Sequence, residues 1–202
     1  MYKVGIAVAA ILCAGVAQAA VITEIEGNDT LETAQSLDGN FTLDYSADVG
    51  DNGANTSTTI PHVTVQGFAE SGGRDTFKFT VTQAGSIGIF DIDFGMPGFD
   101  GNLTLFDEAG TQLAYNDDYS SGAGQGGSYH SYDSFIQYAF DQAGTFMIQV
   151  GTCCQNSPFY SDTSYALQVS LQNPASAVPE PAALALLGLG VLGVAARRRR
   201  RA

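Results

Sequence analysis

The stretch Thr76-Phe77-Lys78-Phe79-Thr80-Val81 alternates polar and apolar side chains without a break. Successive side chains of an extended strand point to opposite faces, so Phe77, Phe79 and Val81 would share one face. One apolar and one polar face are typical of a strand that covers a core on one side and meets solvent on the other. The stretch therefore predicts a half-buried β-strand.

The same alternation recurs in Phe146, Ile148 and Val150, and again in Tyr165, Leu167, Val169 and Leu171. Further strand candidates are 41–45, 62–68, 86–94, 103–106, 112–115 and 135–140. Within 86–94 the apolar phase changes between Ile89 and Phe90, which predicts a β-bulge. Only 30–37 has helical spacing, for at most two turns. Glycine-containing turns at 83–86, 108–111 and 142–145 punctuate the chain, so the sequence predicts an all-β sandwich.

The C-terminus has three parts in order. They are Val178-Pro179-Glu180-Pro181, an apolar run at 182–196, and the arginines Arg197, Arg198, Arg199, Arg200 and Arg201. The uncharged run would form a helix of about 22 Å, against a hydrocarbon core of about 30 Å. We predict a marginal transmembrane helix whose arginines stay cytoplasmic, which places the preceding chain outside the membrane.

This order of Pro-Glu-Pro, short apolar helix and arginine cluster at 178–202 resembles the PEP-CTERM sorting signal of Gram-negative bacteria. The resemblance implies a transient inner-membrane anchor that an exosortase recognises near the Pro-Glu-Pro and removes. It also implies delivery to the cell surface or to an extracellular polysaccharide matrix. The alternative is an ordinary C-terminal anchor, which the short span and the prolines disfavour.

The N-terminus predicts export as well. Lys3 precedes an apolar stretch at 4–16, and Ala17-Gln18-Ala19 provides a small-residue cleavage site before Ala20. These features are those of a secretory signal peptide, formed as a helix and cut by signal peptidase. We therefore divide the chain into a signal peptide at 1–19, one domain at 20–177 and the sorting signal at 178–202.

The central domain is strongly acidic. It holds 20 of the 21 acidic residues but only two of the eight basic ones, Arg74 and Lys78, which gives a formal charge of −18. Such a charge excludes nucleic acid as a partner. Bound divalent cations would relieve the repulsion between carboxylates in an exported protein, whereas the alternative is a merely soluble acidic surface.

The order of short motifs across 24–171 resembles the bacterial pre-peptidase C-terminal domain, a jelly-roll-like module related to collagen-binding domains. The matching stretches are 26–30, 75–79, 103–107, 116–118, 144–150 and 165–167. The resemblance implies a jelly-roll-like antiparallel β-sandwich. One departure is Gly72-Gly73, where the family usually carries a further acidic residue before Arg74-Asp75.

The segment Glu24-Ile25-Glu26-Gly27-Asn28-Asp29 is the strongest candidate for a Ca²⁺ site. Side chains at every second residue of an extended segment can aim Glu24, Glu26 and Asn28 to one side, and Ca²⁺ takes six to eight oxygen ligands. The family resemblance implies these residues with Asp29, and adds Asp75 and Ser71. The alternative is a helix cap at Asn28-Asp29-Thr30 with solvated glutamates. Asp91 with Asp93, and 116–118, are either a second cation site or polar turns.

Two polar, glycine-rich segments, 44–61 and 120–131, are predicted to be mobile surface loops that could recognise a specific ligand. Catalysis has little support, because His62 and His130 belong to no nucleophile or metalloprotease motif. Cys153 and Cys154 are adjacent, and in an exported protein we expect them to be oxidised. A bond to each other, a bond to another chain and two free thiols remain open.

The sequence thus predicts an exported, non-catalytic, Ca²⁺-stabilised β-sandwich of the surface or matrix. Its expected partners are signal peptidase and an exosortase, with exopolysaccharide or extracellular proteins as further candidates, and its membrane contact is transient. A lectin-like or protein-binding module is the alternative, for which the candidate loop aromatics are Phe159, Tyr160, Tyr119, Tyr129 and Tyr132. A secreted hydrolase using paired carboxylates is a further alternative.

Overall fold

The structure, a computed structural model, describes residues 21–51, 54–94, 100–118, 131–154 and 157–175. These ranges contain β-strands and turns but no helix. The strands are β1 (Val21–Thr23), β2 (Gln35–Ser36), β3 (Gly50–Asp51), β4 (Ala54–Asn55), β5 (His62–Ala69), β6 (Asp75–Val81), β7 (Ile87–Phe94), β8 (Gly101–Asp107), β9 (Gln112–Asn116), β10 (Phe135–Ala139), β11 (Gly144–Thr152) and β12 (Thr163–Leu171).

Ten of these strands form two five-stranded sheets. The first sheet has the order β1-β5-β12-β7-β10, the second has the order β2-β6-β11-β8-β9, and β3 pairs with β4 in a separate hairpin. The short edge strands β1 and β2 run parallel to their neighbours, and every other pairing is antiparallel. The predicted all-β sandwich is confirmed.

The core lies between the two sheets and is built from the alternating positions. Phe77, Phe79 and Val81 of β6 are buried, as the sequence predicted. The ring of Phe79 lies 5.3 Å from that of Phe90 on the opposite sheet, and Phe140 lies 4.4 Å from Phe146. Burial of each such ring contributes about 1.5 to 3 kcal/mol, so these contacts are a main source of sandwich stability.

The bulge predicted within 86–94 is wrong. Strand β7 pairs with β12 and β10 without any shift of register. Phe90 and Ile92 face the core, while Ile89 lies on the outer face of the first sheet and is nevertheless buried. The apolar phase changes because both faces of this strand are covered, so the pattern of a half-buried strand does not apply. The register shift that does occur lies between Leu105 and Phe106, where β8 pairs with β9.

Two further expectations need correction. The helical spacing at 30–37 forms a turn closed by the Thr33 N–H bond to the Thr30 carbonyl at 3.2 Å, followed by β2. Ala34 and Leu37 are buried through the pairing of β2 with β6 rather than along a helix. In the candidate strand 41–45, only Thr42 pairs, through a bridge to His62.

The stretch 44–61 was predicted to be a mobile loop, but its part 44–60 contains the β3–β4 hairpin and buried side chains. Val49 and Ser57 are buried, the Ser46 N–H donates to Ser57 Oγ at 3.2 Å, and the Thr56 N–H donates to the Val49 carbonyl at 3.3 Å. Its polar composition serves internal hydrogen bonds as well as solvent. The segment therefore has internal structure that its composition did not predict.

The predicted signal helix and the predicted transmembrane helix at 182–196 lie outside the described residues. Within the described ranges, no helix is long and apolar enough to cross a membrane.

Candidate metal site

The acidic segment 24–29 joins the two sheets at one end of the sandwich. The Glu24 N–H donates to the Gln66 carbonyl at 3.0 Å, which continues the pairing of β1 with β5 in the first sheet. Gly27 then takes a left-handed conformation, with φ of 94°, that turns the chain. The Thr76 N–H donates to the Asn28 carbonyl at 2.9 Å, which fastens the segment to β6 of the second sheet. The topology thus brings Glu24 and Asn28 to the start of β6, beside Asp75.

Asp75 is a buried carboxylic acid. Its Oδ2 accepts a hydrogen bond of 2.6 Å from the Tyr165 hydroxyl, and 3% of the residue is exposed. The pKa of Asp75 is raised to about 9, chiefly by burial and further by the neighbouring carboxylates of Glu24 and Glu26, against the opposing effect of the Tyr165 hydrogen bond. Asp75 is therefore protonated at neutral pH.

One polar side chain next to Asp75 has no hydrogen-bond partner, and another is paired with Asp75 itself. Glu24 Oε2 accepts from the Phe68 N–H at 2.8 Å, and a hydrogen bond between the Glu24 and Asp75 side chains is one of the causes of the raised pKa of Asp75. The side chain of Asn28 is 2% exposed, and neither its Oδ1 nor its Nδ2 has a partner. A buried polar group left unpaired costs about 1 to 3 kcal/mol, so the unpaired side chain of Asn28 favours a ligand at this place.

Glu26 and Asp29 complete the acidic group nearer to solvent. The pKa of Glu26 is raised, first by its partial burial and then by the charges of Glu24, Glu70 and Asp29. These four carboxylates therefore repel one another in the absence of a counterion. Glu70 is a member that the sequence did not predict, because it lies 44 residues after Glu26 and approaches only through the pairing of β1 with β5.

Asp29 also has a structural role. Its Oδ1 accepts from the Arg74 N–H at 3.2 Å and lies 2.7 Å from the position that a side-chain carbon at Gly73 would take. Gly72 has φ of 94°, which L-residues rarely adopt. The Gly72-Gly73 pair therefore makes room for Asp29 and for the turn, which accounts for the absence of a further acidic residue there.

Two sequence expectations for this region change. Ser71 is exposed, and its N–H donates to Asp162 Oδ1 at 2.9 Å, so the structure places it in the turn after β5 rather than among the buried groups. The alternative of a helix cap at 28–30 is wrong, because a turn and not a helix follows. Asn28 consequently has no capping role to explain its burial.

The donor set fits a hard divalent cation. Glu24, Asn28 and Asp75 provide buried oxygen atoms, Glu26 adds a flexible carboxylate at the rim, and no histidine or cysteine belongs to the group. Ca²⁺ accepts six to eight oxygen ligands in irregular geometry, which such a set can supply together with main-chain carbonyls and water. Binding would ionise Asp75 and provide a partner for the unpaired oxygen of Asn28.

Elsewhere in the described ranges, one set of three Asp, Glu, His or Cys side chains brings its ligand atoms within 4.8 Å of one another. It consists of Asp117, Cys153 and Cys154. The two sulfur atoms are bonded to each other in the structure, so they offer no thiolate ligand. The N-terminal group does not gather three carboxylates this closely, and a cation there would depend on Asn28 and main-chain oxygens as well.

The turn at 116–118 and His62 have ordinary structural roles. Asn116 Oδ1 accepts from the Phe135 N–H at 3.0 Å, and its Nδ2 donates to the Asp118 carbonyl at 3.1 Å, as expected of a polar turn. His62 is buried, and burial lowers its pKa, so it is neutral at neutral pH. His130 lies outside the described residues.

The structure leaves fewer of the loop aromatics as candidates for a lectin-like site. Phe159 is buried and packs 6.4 Å from the Tyr165 ring, so it belongs to the core and not to an exposed platform. Tyr160 and Tyr132 are exposed. Tyr119 and Tyr129 lie outside the described residues.

Tyr165 is a second site residue that the sequence analysis missed. It was assigned to the core face of its strand, and Asp75 occupies the position before Phe77 on the core face of β6. The alternation therefore carried a signal, because a carboxylate at a core position needs a partner. The identity of that partner depends on how the two sheets pack.

Comparison with known proteins bears on the C-terminus. Residues 177–201 match the model of the PEP-CTERM protein-sorting motif. The chain carries a PEP-CTERM sorting motif. This motif marks a bacterial protein for export and for membrane-transient, exosortase-dependent sorting, as the order of Pro-Glu-Pro, apolar run and arginines at 178–202 predicted.

Several solved structures resemble the β-sandwich of this chain. The pre-peptidase C-terminal domain of a Bacillus anthracis collagenase is 20% identical, covers 52% of this chain and 86% of its own, and has a TM-score of 0.36. PliG of Aeromonas hydrophila, a periplasmic inhibitor of g-type lysozyme, is 20% identical, covers 56% of this chain and 89% of its own, and has a TM-score of 0.36. The Yersinia pseudotuberculosis-derived mitogen is 12% identical, covers 56% of this chain and 88% of its own, and has a TM-score of 0.37.

Similarities at this level carry no argument about ligand or activity. No curated protein matches the chain. The function must therefore be argued from the sorting motif and from the residues of the domain.

Proposed function

We propose that this is an exported, non-catalytic, Ca²⁺-stabilised β-sandwich protein that an exosortase delivers to the cell surface or to the extracellular polysaccharide matrix. The PEP-CTERM motif at 177–201 is the observation that carries the export. The non-catalytic role is supported by His62, which is buried and neutral and so does not act as a surface base. The matrix location follows from the polysaccharide association that the sorting signal implies.

The Ca²⁺ requirement is supported by the protonated state of Asp75. Without a cation, this acid must stay neutral beside Glu24, and Asn28 Oδ1 remains buried without a partner. A bound cation removes both unfavourable contributions to stability, the neutral acid and the unpaired amide oxygen. It favours the ionised form of Asp75 and takes the unpaired oxygen as a ligand. Ca²⁺ in the environment of an exported protein would then complete the domain after translocation.

Thermal unfolding of the exported form tests the metal proposal. Ca²⁺ at 100 times its dissociation constant should add about 2.7 kcal/mol to the free energy of unfolding relative to chelator. Mg²⁺ should add much less, since it demands tight octahedral geometry. Equal melting curves in chelator and in millimolar Ca²⁺ would remove the proposal.

A variant and a matched control locate the effect. Glu24→Gln keeps an oxygen that can accept from the Phe68 N–H but removes the charge, so it should strongly reduce the Ca²⁺ response. Glu108→Gln makes the same change in the exposed turn between β8 and β9 and should leave the response unaltered. An undiminished response in Glu24→Gln would place the cation elsewhere.

The matrix location has its own test. In a strain unable to make exopolysaccharide, the processed protein should move from the cell-associated fraction to the culture medium. Retention on the cells at the level of the parent strain would favour attachment to another surface component.

A further inference from the structure

We propose a second Ca²⁺ site, separate from the N-terminal one, between the outer face of the first sheet and the segment 44–60. It uses Asp48 from the segment and Asp93 and Gln168 from the sheet. This site depends on neither the sorting motif nor the Glu24–Asp75 group.

The outer face of the first sheet is polar but buried. The register pairs Gln168 of β12 with Thr64 of β5 on one side and with Asp91 of β7 on the other, and Asp93 lies two residues further along β7 on the same face. Gln168 is 5% exposed and Asp93 4% exposed. A solvated outer face would leave such side chains accessible, so another part of the protein covers them here.

Part of this cover is the segment 44–60. A cavity of about 320 Å³ lies between segment and sheet, with Ser46 and Asp48 on one wall and Thr64, Asp93 and Gln168 on the other. The hydrogen bonds from Ser46 to Ser57 and from Thr56 to Val49 hold the segment in this shape. Two carboxylates from distant parts of the sequence thus face one cavity.

Gln168 indicates that a ligand is missing from this space. Its Nε2 donates to Asp93 Oδ2 at 3.4 Å, while its buried Oε1 has no hydrogen-bond partner. An amide oxygen buried without a donor is costly, and the carboxylates that share the cavity provide no donor when ionised. A cation between Asp48, Asp93 and Gln168 Oε1 would act as the common partner of all three.

Among the residues that the structure describes, no basic side chain is suited to this role. Arg74 and Lys78 are the lysines and arginines of residues 20–177, and both belong to the opposite sheet or to the turn before it. His62 lies on the same outer face, but burial lowers its pKa and keeps it neutral. The side-chain atoms named at the cavity as metal ligands are all oxygens, which favours Ca²⁺ over softer metals. The irregular arrangement of these oxygens favours Ca²⁺ over Mg²⁺.

Such a cation would clamp the segment 44–60 onto the sheet. Hydrogen exchange of the exported protein tests this, with Ca²⁺ alone as the probe. At 100 times the dissociation constant, the amides of Ser46 and Thr56 should exchange about 100-fold more slowly than in chelator, because their opening requires release of the ion. Asp48→Asn should abolish this protection and remove one equivalent of bound Ca²⁺ per chain.

The control is Asp44→Asn, which changes the same charge in the same segment at a residue that does not line the cavity. It should retain both the protection and the equivalent of Ca²⁺. The Thr76 amide, which bonds to Asn28, reports the N-terminal site independently and should be protected equally in both variants. The proposal would be overturned if Ca²⁺ did not slow the exchange of the Ser46 and Thr56 amides in the unmodified protein. It would also be overturned if Ca²⁺ still slowed their exchange in Asp48→Asn.

Discussion

The hydroxyl of Tyr165 on β12 donates a hydrogen bond of 2.6 Å to Oδ2 of Asp75 on β6, and so joins the two sheets through a buried polar contact. Opposite β12, Gly67 of β5 pairs with Tyr165 in register, and the phenol ring occupies the space that a side chain there would fill. The contact is thus set by a glycine on one strand, a tyrosine on the next and an acid on the opposite sheet.

The first prediction concerns pH. Because the pKa of Asp75 is raised from 3.8 to about 9, the folded state holds this proton more tightly than the unfolded chain. The resulting stabilisation is fully present below pH 4 and is lost as the pH rises toward about 9. In chelator, the unfolding free energy should therefore fall across this range more steeply for the unmodified protein than for Asp75→Asn. Parallel pH profiles for the two proteins would contradict the buried, protonated acid.

The second prediction concerns Gly67. A methyl group at this position would overlap the Tyr165 ring, so Gly67→Ala should destabilise the domain by about 1 to 3 kcal/mol and weaken the bond to Asp75. Gly144→Ala is the control, because its added carbon would lie 3.7 Å from Phe146, an ordinary contact. Denaturant unfolding measures both, and comparable losses for the two variants would exclude a specific role for Gly67.

The third prediction concerns processing. The exported protein should begin at Ala20 and end near 179–181, because both termini carry cleavage signals. Intact mass spectrometry of the exported form measures this. Replacing Pro179, Glu180 and Pro181 with alanine should leave the arginine tail attached. A mature product of the unmodified protein that keeps Arg197 to Arg201 would mean a plain membrane anchor.

The fourth prediction concerns Cys153 and Cys154, which are bonded to each other in the structure. We expect the same bond in the exported protein, since export leads to an oxidising compartment. Non-reducing mass spectrometry should find a monomer two hydrogens lighter than the dithiol. A dimer that separates on reduction would show an intermolecular bond, and thiols that label without reductant would show no disulfide.

Local patterns were sufficient for much of the fold. The alternation at 76–81, around Phe146 and around Tyr165 identified three central strands, because burial on a single face imposes a period of two. The same rule failed for β7, whose outer face is covered, and for 30–37, where the spacing of Ala34 and Leu37 arises from the pairing of β2 with β6. Whether the outer face of a strand is covered, and which edge strand pairs with it, depends on distant parts of the chain. The periodicity of a local stretch therefore cannot predict either.

By itself, the sequence determined that this protein is exported and sorted through a membrane, and that its domain is an acidic β-sandwich, because the sorting signal and the strand periodicity each lie in contiguous residues. It also named Glu24, Asn28 and Asp75 as candidate ligands. Only the tertiary structure decided that Asp75 is buried against Tyr165, that Glu70 joins the acidic group, and that Asp48 meets Asp93 and Gln168 across one cavity. These relationships depend on register and on sheet packing, which bring together residues that are far apart in the chain and change both their pKa values and their partners.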